Sequence, residues 1–244
     1  MFPFKRKPVL QYAPVSKQDE FNPLVAIKSL VPKWYKDHPL LHKDNNKHRL
    51  PRNPTVKGCV PFLDAMTVGY ALVTLCDIGV TQVEGMPYLT WSPNVVRSWR
   101  SDGVELIEAR DNETLPEESV PYGYSRTQLA IWINAVIKVP KGYATLWTHP
   151  LNREDLPFRT LSAIVDGGYP QPNGKCPLFI RKGFEGIIPK GTPIVQVIPF
   201  KLDSWTSEKN LTLIQEAEDH EVLGWSSSIN PRYKFKYWTK KTYN

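Results

Sequence analysis

The chain has 244 residues, 41% apolar and 11% aromatic, enough to bury one large core. No run approaches the roughly 18–20 consecutive apolar residues that span a bilayer, and the start, MFPFKRKPVL, lacks the apolar segment and small-residue cleavage site of a secretory signal. The net charge of +7 is unevenly placed: residues 1–57 carry +8, residues 222–244 carry +5 with no acid, and the stretch between them carries −6.

An acidic body with two basic ends suits an anionic partner, either nucleic acid or the acidic body of a neighbouring copy. The alternative is that both ends are simply solvated. Three cysteines, Cys59, Cys76 and Cys176, are far apart and form no CxxC pair, so neither a disulfide framework nor a zinc site is expected. Each is read as a small buried hydrophobe.

The 23 prolines, about twice the usual share of roughly 5%, cut the chain into short elements and exclude long helices. Residues 1–22 read as an extended arm. PLVAIKS (23–29) predicts a short helix capped by Asn22 and ending near Val31, before Pro32. Residues 36–57 are polar and Pro-broken, a loop holding His38, His42 and His48; His149 and His220 lie elsewhere. CVPFLDAMT (59–67) predicts a helical turn started by Pro61, and GYALVTLCDIGV (69–80) a single buried strand. Residues 85–100, with Trp91 and Trp99, suggest a hairpin, and the acidic stretch 111–124 a loop.

Short apolar runs bounded by Gly, Pro, Asn or Asp then follow at 128–140, 142–149, 159–169, 176–181 and 191–200. That pattern predicts a mainly β body, an antiparallel sandwich or barrel, with a few short helices and extended termini. Trp132 and Trp147 are placed in its core. LIQEAEDHEVLGW (213–225) predicts a helix ended by Gly224. The organisation expected is one structural domain: a basic N-terminal arm and short helix (1–57) packed on a β-rich body (58–225), then a basic aromatic arm (226–244).

In that last arm, Tyr233, Phe235 and Tyr237 alternate with Lys234 and Lys236, flanked by Arg232 and Trp238. An extended chain puts the aromatics on one face and the ammonium groups on the other. Such a tail either stacks bases and neutralises phosphates or docks its aromatics on a core. These seven residues are the candidate partner-binding set.

Walker A, GxGxxG, HExxH, GxSxG and EF-hand signatures are absent, as is the HxD or HxE pair of a facial iron triad. The histidines at 38, 42 and 48 carry no helical-face meaning on a Pro-broken loop. No metal site is expected, and no cofactor.

The segment 140–200 is the most informative. PKGYATLWTHPL is followed by RTLSAIVDGGYPQPNGKCPLFI and by GFEGIIPKGTPIVQVIPF. Their order resembles the trimeric dUTPase and dCTP-deaminase family: a Pro-Gly-Tyr hairpin, an I-D-x-G-Y turn, and an apolar G-x-P-I-x-Q strand. The resemblance implies a β-clip fold, a homo-oligomer (a trimer), and sites shared between subunits. It would give Asp166 the role of orienting the attacking water, place Tyr169 in the nucleoside pocket and put Gln196 on the strand lining the site. Mg²⁺ would be needed if a nucleotide is hydrolysed.

The sequence departs from that pattern at its charge-handling positions. THPLNRED stands where the family has R-S-G, leaving His149 and Arg153 as the nearest polar groups; Ala71 follows Tyr70; Pro193 replaces an arginine; and the tail is aromatic and basic rather than glycine-rich.

VPKWYKDHP, TVKGCVPFLDAMTVGY, THPLNREDLPF, GTPIVQVIPF and the closing YKFKYWTKKTY together resemble uncharacterised proteins of tailed phages, including cyanophages. That resemblance implies a phage origin and location in a virion or the host cytoplasm. Three functions follow from these readings. The first is a virion accessory or decoration-type assembly protein that binds other virion proteins or its own copies. The others are a dUTPase-like nucleotide hydrolase or nucleotide-binding protein, and a nucleic-acid-binding accessory protein using the basic termini.

Overall fold

The computed structural model describes residues 7–14, 22–41, 55–91, 106–110, 115–132, 135–170, 174–220 and 237–243. The chain divides into two units. One is Met1–Leu30 with Gly69–Leu202; the other is Val31–Val68 with Asp203–Asn244.

The first unit holds every described strand: Gln11–Pro14 (β1), Leu24–Ala26 (β2), Tyr70–Val73 (β3), Ile78–Val83 (β4), Met86–Trp91 (β5), Ile107–Ala109 (β6), Tyr124–Trp132 (β7), Ala135–Lys138 (β8), Tyr143–Thr148 (β9), Phe158–Thr160 (β10), Ala163–Asp166 (β11), Lys175–Arg181 (β12), Gly186–Ile188 (β13) and Pro193–Lys201 (β14). They form a five-stranded sheet in the order β11-β9-β14-β3-β2, a four-stranded sheet β10-β12-β7-β6, a three-stranded sheet β13-β4-β5 and the pair β1-β8. Every pairing is antiparallel. The mainly β, antiparallel architecture expected from the Gly/Pro-bounded apolar runs is therefore what the chain adopts.

Strand alternation and register define the core. In the five-stranded sheet, Leu24, Leu72 and Val195 make one cross-strand row, and Tyr70, Val197, Trp147 and Ala163 make the next. The four-stranded sheet contributes the rows Ile107–Ile131–Cys176, Leu129–Leu178 and Phe158–Ile180. Apart from exposed Ala163, these side chains meet in one apolar cluster. On the reverse face of β3, Ala71 and Val73 pack with Ile27 in a smaller one.

Two local expectations are corrected. PLVAIKS is not a helix: Leu24–Ala26 pairs with β3 as an edge strand, and Ile27–Leu30 makes one 3₁₀ turn. Asn22 does accept a bond from the Leu24 N–H at 3.1 Å, but that turn feeds a strand, because Leu24 gains a place in the core that a short isolated helix would not give it. The run 69–80 is two strands, β3 and β4, broken at Thr74–Asp77. Buried Thr74 causes the break. Its hydroxyl donates to the Pro189 carbonyl at 2.7 Å and accepts from the Thr192 N–H at 3.0 Å, while Asp77 accepts from the Lys190 N–H at 2.7 Å. The chain thus crosses from the five-stranded to the three-stranded sheet at a side-chain-stitched corner.

Gly69, at the start of β3, has φ +79° and a Cβ there would run into the Val197 carbonyl. Only glycine allows β3 to approach β14 so closely. Of the hairpin expected at 85–100, the described residues hold only β5, which pairs back onto β4 through a turn at Glu84–Gly85, so the hairpin lies earlier in the chain; residues 92–100, with Trp99, lie outside the described residues, as do His42, His48 and Gly224.

The second unit carries the helices Lys33–Asp37 (α1), Val60–Thr67 (α2) and Leu213–His220 (α3). Pro61 occupies the first turn of α2, as its fixed φ favours. Tyr35 of α1 stacks on Phe62 of α2, with ring centroids 6.1 Å apart and planes 17° apart. Of the cysteines, Cys76 and Cys176 are buried as expected, but Cys59 is exposed ahead of α2.

Candidate functional site

Between the edge strand β11 and β12 lies a cleft of about 240 Å³ lined by Trp147, Ala163, Val165, Tyr169, Lys175 and Cys176, among others. Trp147 is oriented by its indole N–H, which donates to Thr145 Oγ1 at 2.8 Å. Lys175 is held by an ion pair with Glu108 and sits 4.5 Å from the ring centroid of Trp132. The Trp132 indole N–H is buried with no hydrogen-bond partner among the described residues. Burial pushes the Cys176 thiol up to about 12, so it remains a neutral apolar wall, not a nucleophile. The cleft suits a flat apolar group, with the Lys175 charge at its edge already met by Glu108.

Asp166 does not face that cleft. Ala163 and Val165 line it, and side chains alternate along a strand, so Ile164 and Asp166 project from the opposite face of β11. Tyr169 returns to the cleft because the chain turns at Gly167-Gly168, whose N–H groups donate to the Tyr143 and Val139 carbonyls at 2.9 Å. A Cβ on Gly167 would lie 2.6 Å from the Tyr143 carbonyl oxygen, which explains the glycine there.

His149, Arg153 and Gln196 assemble elsewhere. Asp166 pairs with Ala144 toward one end of β9, while Gln196 pairs with Thr148 at the other; the offset along β9 is roughly 13 Å, and their strands flank β9 on opposite sides, so the two residues are roughly 16 Å apart. Gln196 is fully buried and its Oε1 accepts the Leu151 N–H at 2.9 Å. His149 is buried, its Nδ1 accepting the Thr160 N–H at 3.3 Å and its Nε2 lying 3.2 Å from the Arg153 carbonyl. Those partners assign the proton to Nε2, and burial lowers the histidine's pKa, holding the ring neutral. Arg153 grips Asp155 with two bonds, at 2.9 and 3.0 Å, and donates to the Leu30 carbonyl at 3.1 Å. The three side chains brace the turn after β9, each through its own hydrogen bonds.

No group of three or more His, Cys, Asp or Glu side chains that could hold a metal ion occurs among the described residues. No residue set is therefore assigned to Mg²⁺.

In the second unit, the end of the chain is anchored. Trp238 Nε1 donates to Asp64 Oδ2 at 2.7 Å, and Lys241 reaches the same oxygen at 2.6 Å. Tyr237 is exposed. Arg232, Tyr233, Lys234, Phe235 and Lys236 lie outside the described residues.

The feature that sequence reasoning missed is the stretch after β14. Every residue from 202 to 218 is exposed, and it carries Leu202, Trp205, Leu211, Leu213 and Ile214, with Trp205 89% exposed. Its one legible signal was the clustering of apolar residues at the start of the helix at 213, preceded by a tryptophan in a Ser/Thr-rich setting.

No family model and no curated protein matches the chain, so the resemblance to uncharacterised tailed-phage proteins finds no support there. Among solved structures, a dUTPase from phage phi11 of S. aureus is similar over 44% of this chain and 97% of that one, at 13% identity and a TM-score of 0.26. A Staphylococcus bacteriophage 80alpha dUTPase mutant with dUpNHpp is similar over 44% of this chain and 98% of its own, at 12% identity and a TM-score of 0.24. No helix among the described residues is long and apolar enough to cross a membrane.

Proposed function

We propose that this chain acts by binding, as a structural or assembly protein of the virion accessory or decoration class. The observation that carries the reading is the arm at 202–218, exposed along its whole length and bearing Trp205 in water. Large apolar side chains grouped on an exposed segment mark a surface that another protein covers. The acidic body and basic ends supply the charge complementarity that steers such assembly. Quantitative peptide mass spectrometry on purified particles of the encoding phage tests it. Stoichiometric presence surviving a high-salt wash is expected; absence from particles overturns the reading.

The cleft beside Tyr169 favours a second reading, a dUTPase-like nucleotide-binding protein or hydrolase. Trp147 and Tyr169 offer aromatic surface, beside the Lys175–Glu108 ion pair. A deoxynucleotide binding and turnover panel tests it, with Tyr169→Ala, a substitution in the cleft lining, expected to lower binding or turnover without unfolding the chain. Wild-type behaviour of that variant toward every nucleotide would overturn the reading.

A further inference from the structure

A basic groove runs along the two-stranded β1-β8 sheet, lined by Lys7, Pro8, Val9, Gln11, Lys138 and Tyr143, among others, with a volume of about 490 Å³. The register explains the lining: Gln11 and Lys138 are directly opposed and share one face, while Tyr12 and Ile137 share the other. No carboxylate lines the groove among the described residues. Neither Lys7 nor Lys138 has an ion-pair partner among the described residues. All four residues of β1 are exposed, and among the described strands it pairs with β8 alone, so exposed Val9 just ahead of it and its other edge add apolar and hydrogen-bonding surface.

The arm after β14 has the opposite character. Residues 203–220 contain five acids and one lysine. Glu208, Glu216 and Glu218 have no ion-pair partner among the described residues. Helix α3 has 8 residues, too few to persist in water without packing, and Leu211, Leu213 and Ile214 at its start are exposed. The arm's root lies at the groove's border: the Leu202 N–H donates to the Gly142 carbonyl at 2.9 Å, and Tyr143, the next residue, lines the groove.

We propose that the acidic arm at 203–218 of one copy docks in the lysine-lined β1-β8 groove of a second copy. This deepens the assembly reading and rests on it for biological meaning, though it makes its own physical claim. Each copy carries both an arm and a groove, with the arm's root beside the groove. Two copies therefore exchange arms reciprocally and close the interface, leaving no arm free to propagate a fibre. Glutamates of the arm meet lysines of the groove, and Trp205 and the leucines leave water.

The test is sedimentation velocity on the full chain and on charge-reversed variants. A groove variant (Lys7→Glu with Lys138→Glu) and an arm variant (Glu208→Lys, Glu216→Lys and Glu218→Lys) each face like charge with like in their own homodimers. Each is expected to weaken self-association by about tenfold or more. Mixed in equal amounts, they match arm to groove in both directions and should recover the wild-type complex. Trp205→Ala, which leaves every charge in place, should also weaken association by about tenfold or more. A monomeric wild-type chain, self-association unchanged by all three variants, or failure of the mixture to recover it would each overturn the proposal. Absence from particles with arm exchange intact would remove only the assembly reading; presence in particles of a monomeric chain would remove only the exchange.

Discussion

The indole of Trp238 donates to Oδ2 of Asp64 across 174 residues of sequence, and the Lys241 ammonium bonds the same oxygen. One carboxylate on α2 therefore holds the end of the chain. A hydrogen bond to a charged acceptor outweighs the half-exposed ion pair, whose strength is reduced by water. Asp64→Ala is expected to cost about 1–2 kcal/mol and to speed proteolysis within the last residues. Asp64→Asn keeps an acceptor for the indole and should recover much of the loss. Chemical denaturation and timed limited proteolysis read both. Unchanged cleavage in Asp64→Ala would show that the tail is not held there.

His149 sets a pH response. Burial lowers its pKa in the folded chain, and Nδ1 must stay unprotonated to accept from Thr160. Below the ordinary histidine value the unfolded chain takes up a proton that the folded chain refuses, so stability falls as pH drops from that value toward the lowered one. It is fully present above the ordinary value, near 6.5. His149→Gln should lower stability at neutral pH and flatten this slope. Denaturation midpoints from pH 5 to 8, roughly the range spanning histidine titration, are the measurement; an unchanged slope would place the titration elsewhere.

Gln196 was marked in the sequence as lining a ligand site, and the structure gives it a buried bond to the Leu151 N–H. Gln196→Leu leaves that N–H without its partner inside the protein, a loss of about 1–3 kcal/mol. Thermal and chemical denaturation should show the loss with or without nucleotides. Stability unchanged by the substitution would mean that the bond is readily replaced.

The strand type between 124 and 201 was legible because the apolar runs are short and end at Gly, Pro or Asp, but not every boundary: the runs at 128–140 and 159–169 each hold two strands, and Gly186–Ile188 is too short to show. Leu24–Ala26 was not, since three apolar residues after a capping Asn read equally as a helix start, and pairing with β3 decides the matter. The strand carrying Asp166 was visible, but not its facing. Alternation assigns a face only when one neighbour's burial is known, and Val165 supplies that only in the folded chain. The partners of His149 and Trp238 were invisible for a different reason: Thr160 and Asp64 meet them through tertiary contacts that no local spacing encodes.

Trp132 and Trp147 were expected in the core, and both are only partly buried. Trp147 packs against the main cluster but also lines the cleft. Phe158 is 2% exposed, belongs to that cluster, and meets His149 edge to face at 5.9 Å between ring centroids. Phe158→Ala removes a ring whose space cannot refill from solvent, and should cost about 3–5 kcal/mol. Trp147→Ala opens the cleft instead of making a sealed cavity, so it should cost less, about 1–3 kcal/mol, despite the larger side chain. Equilibrium denaturation of both variants decides the order. A larger loss for Trp147 would mean that the cleft closes in solution and that its tryptophan belongs to the core after all.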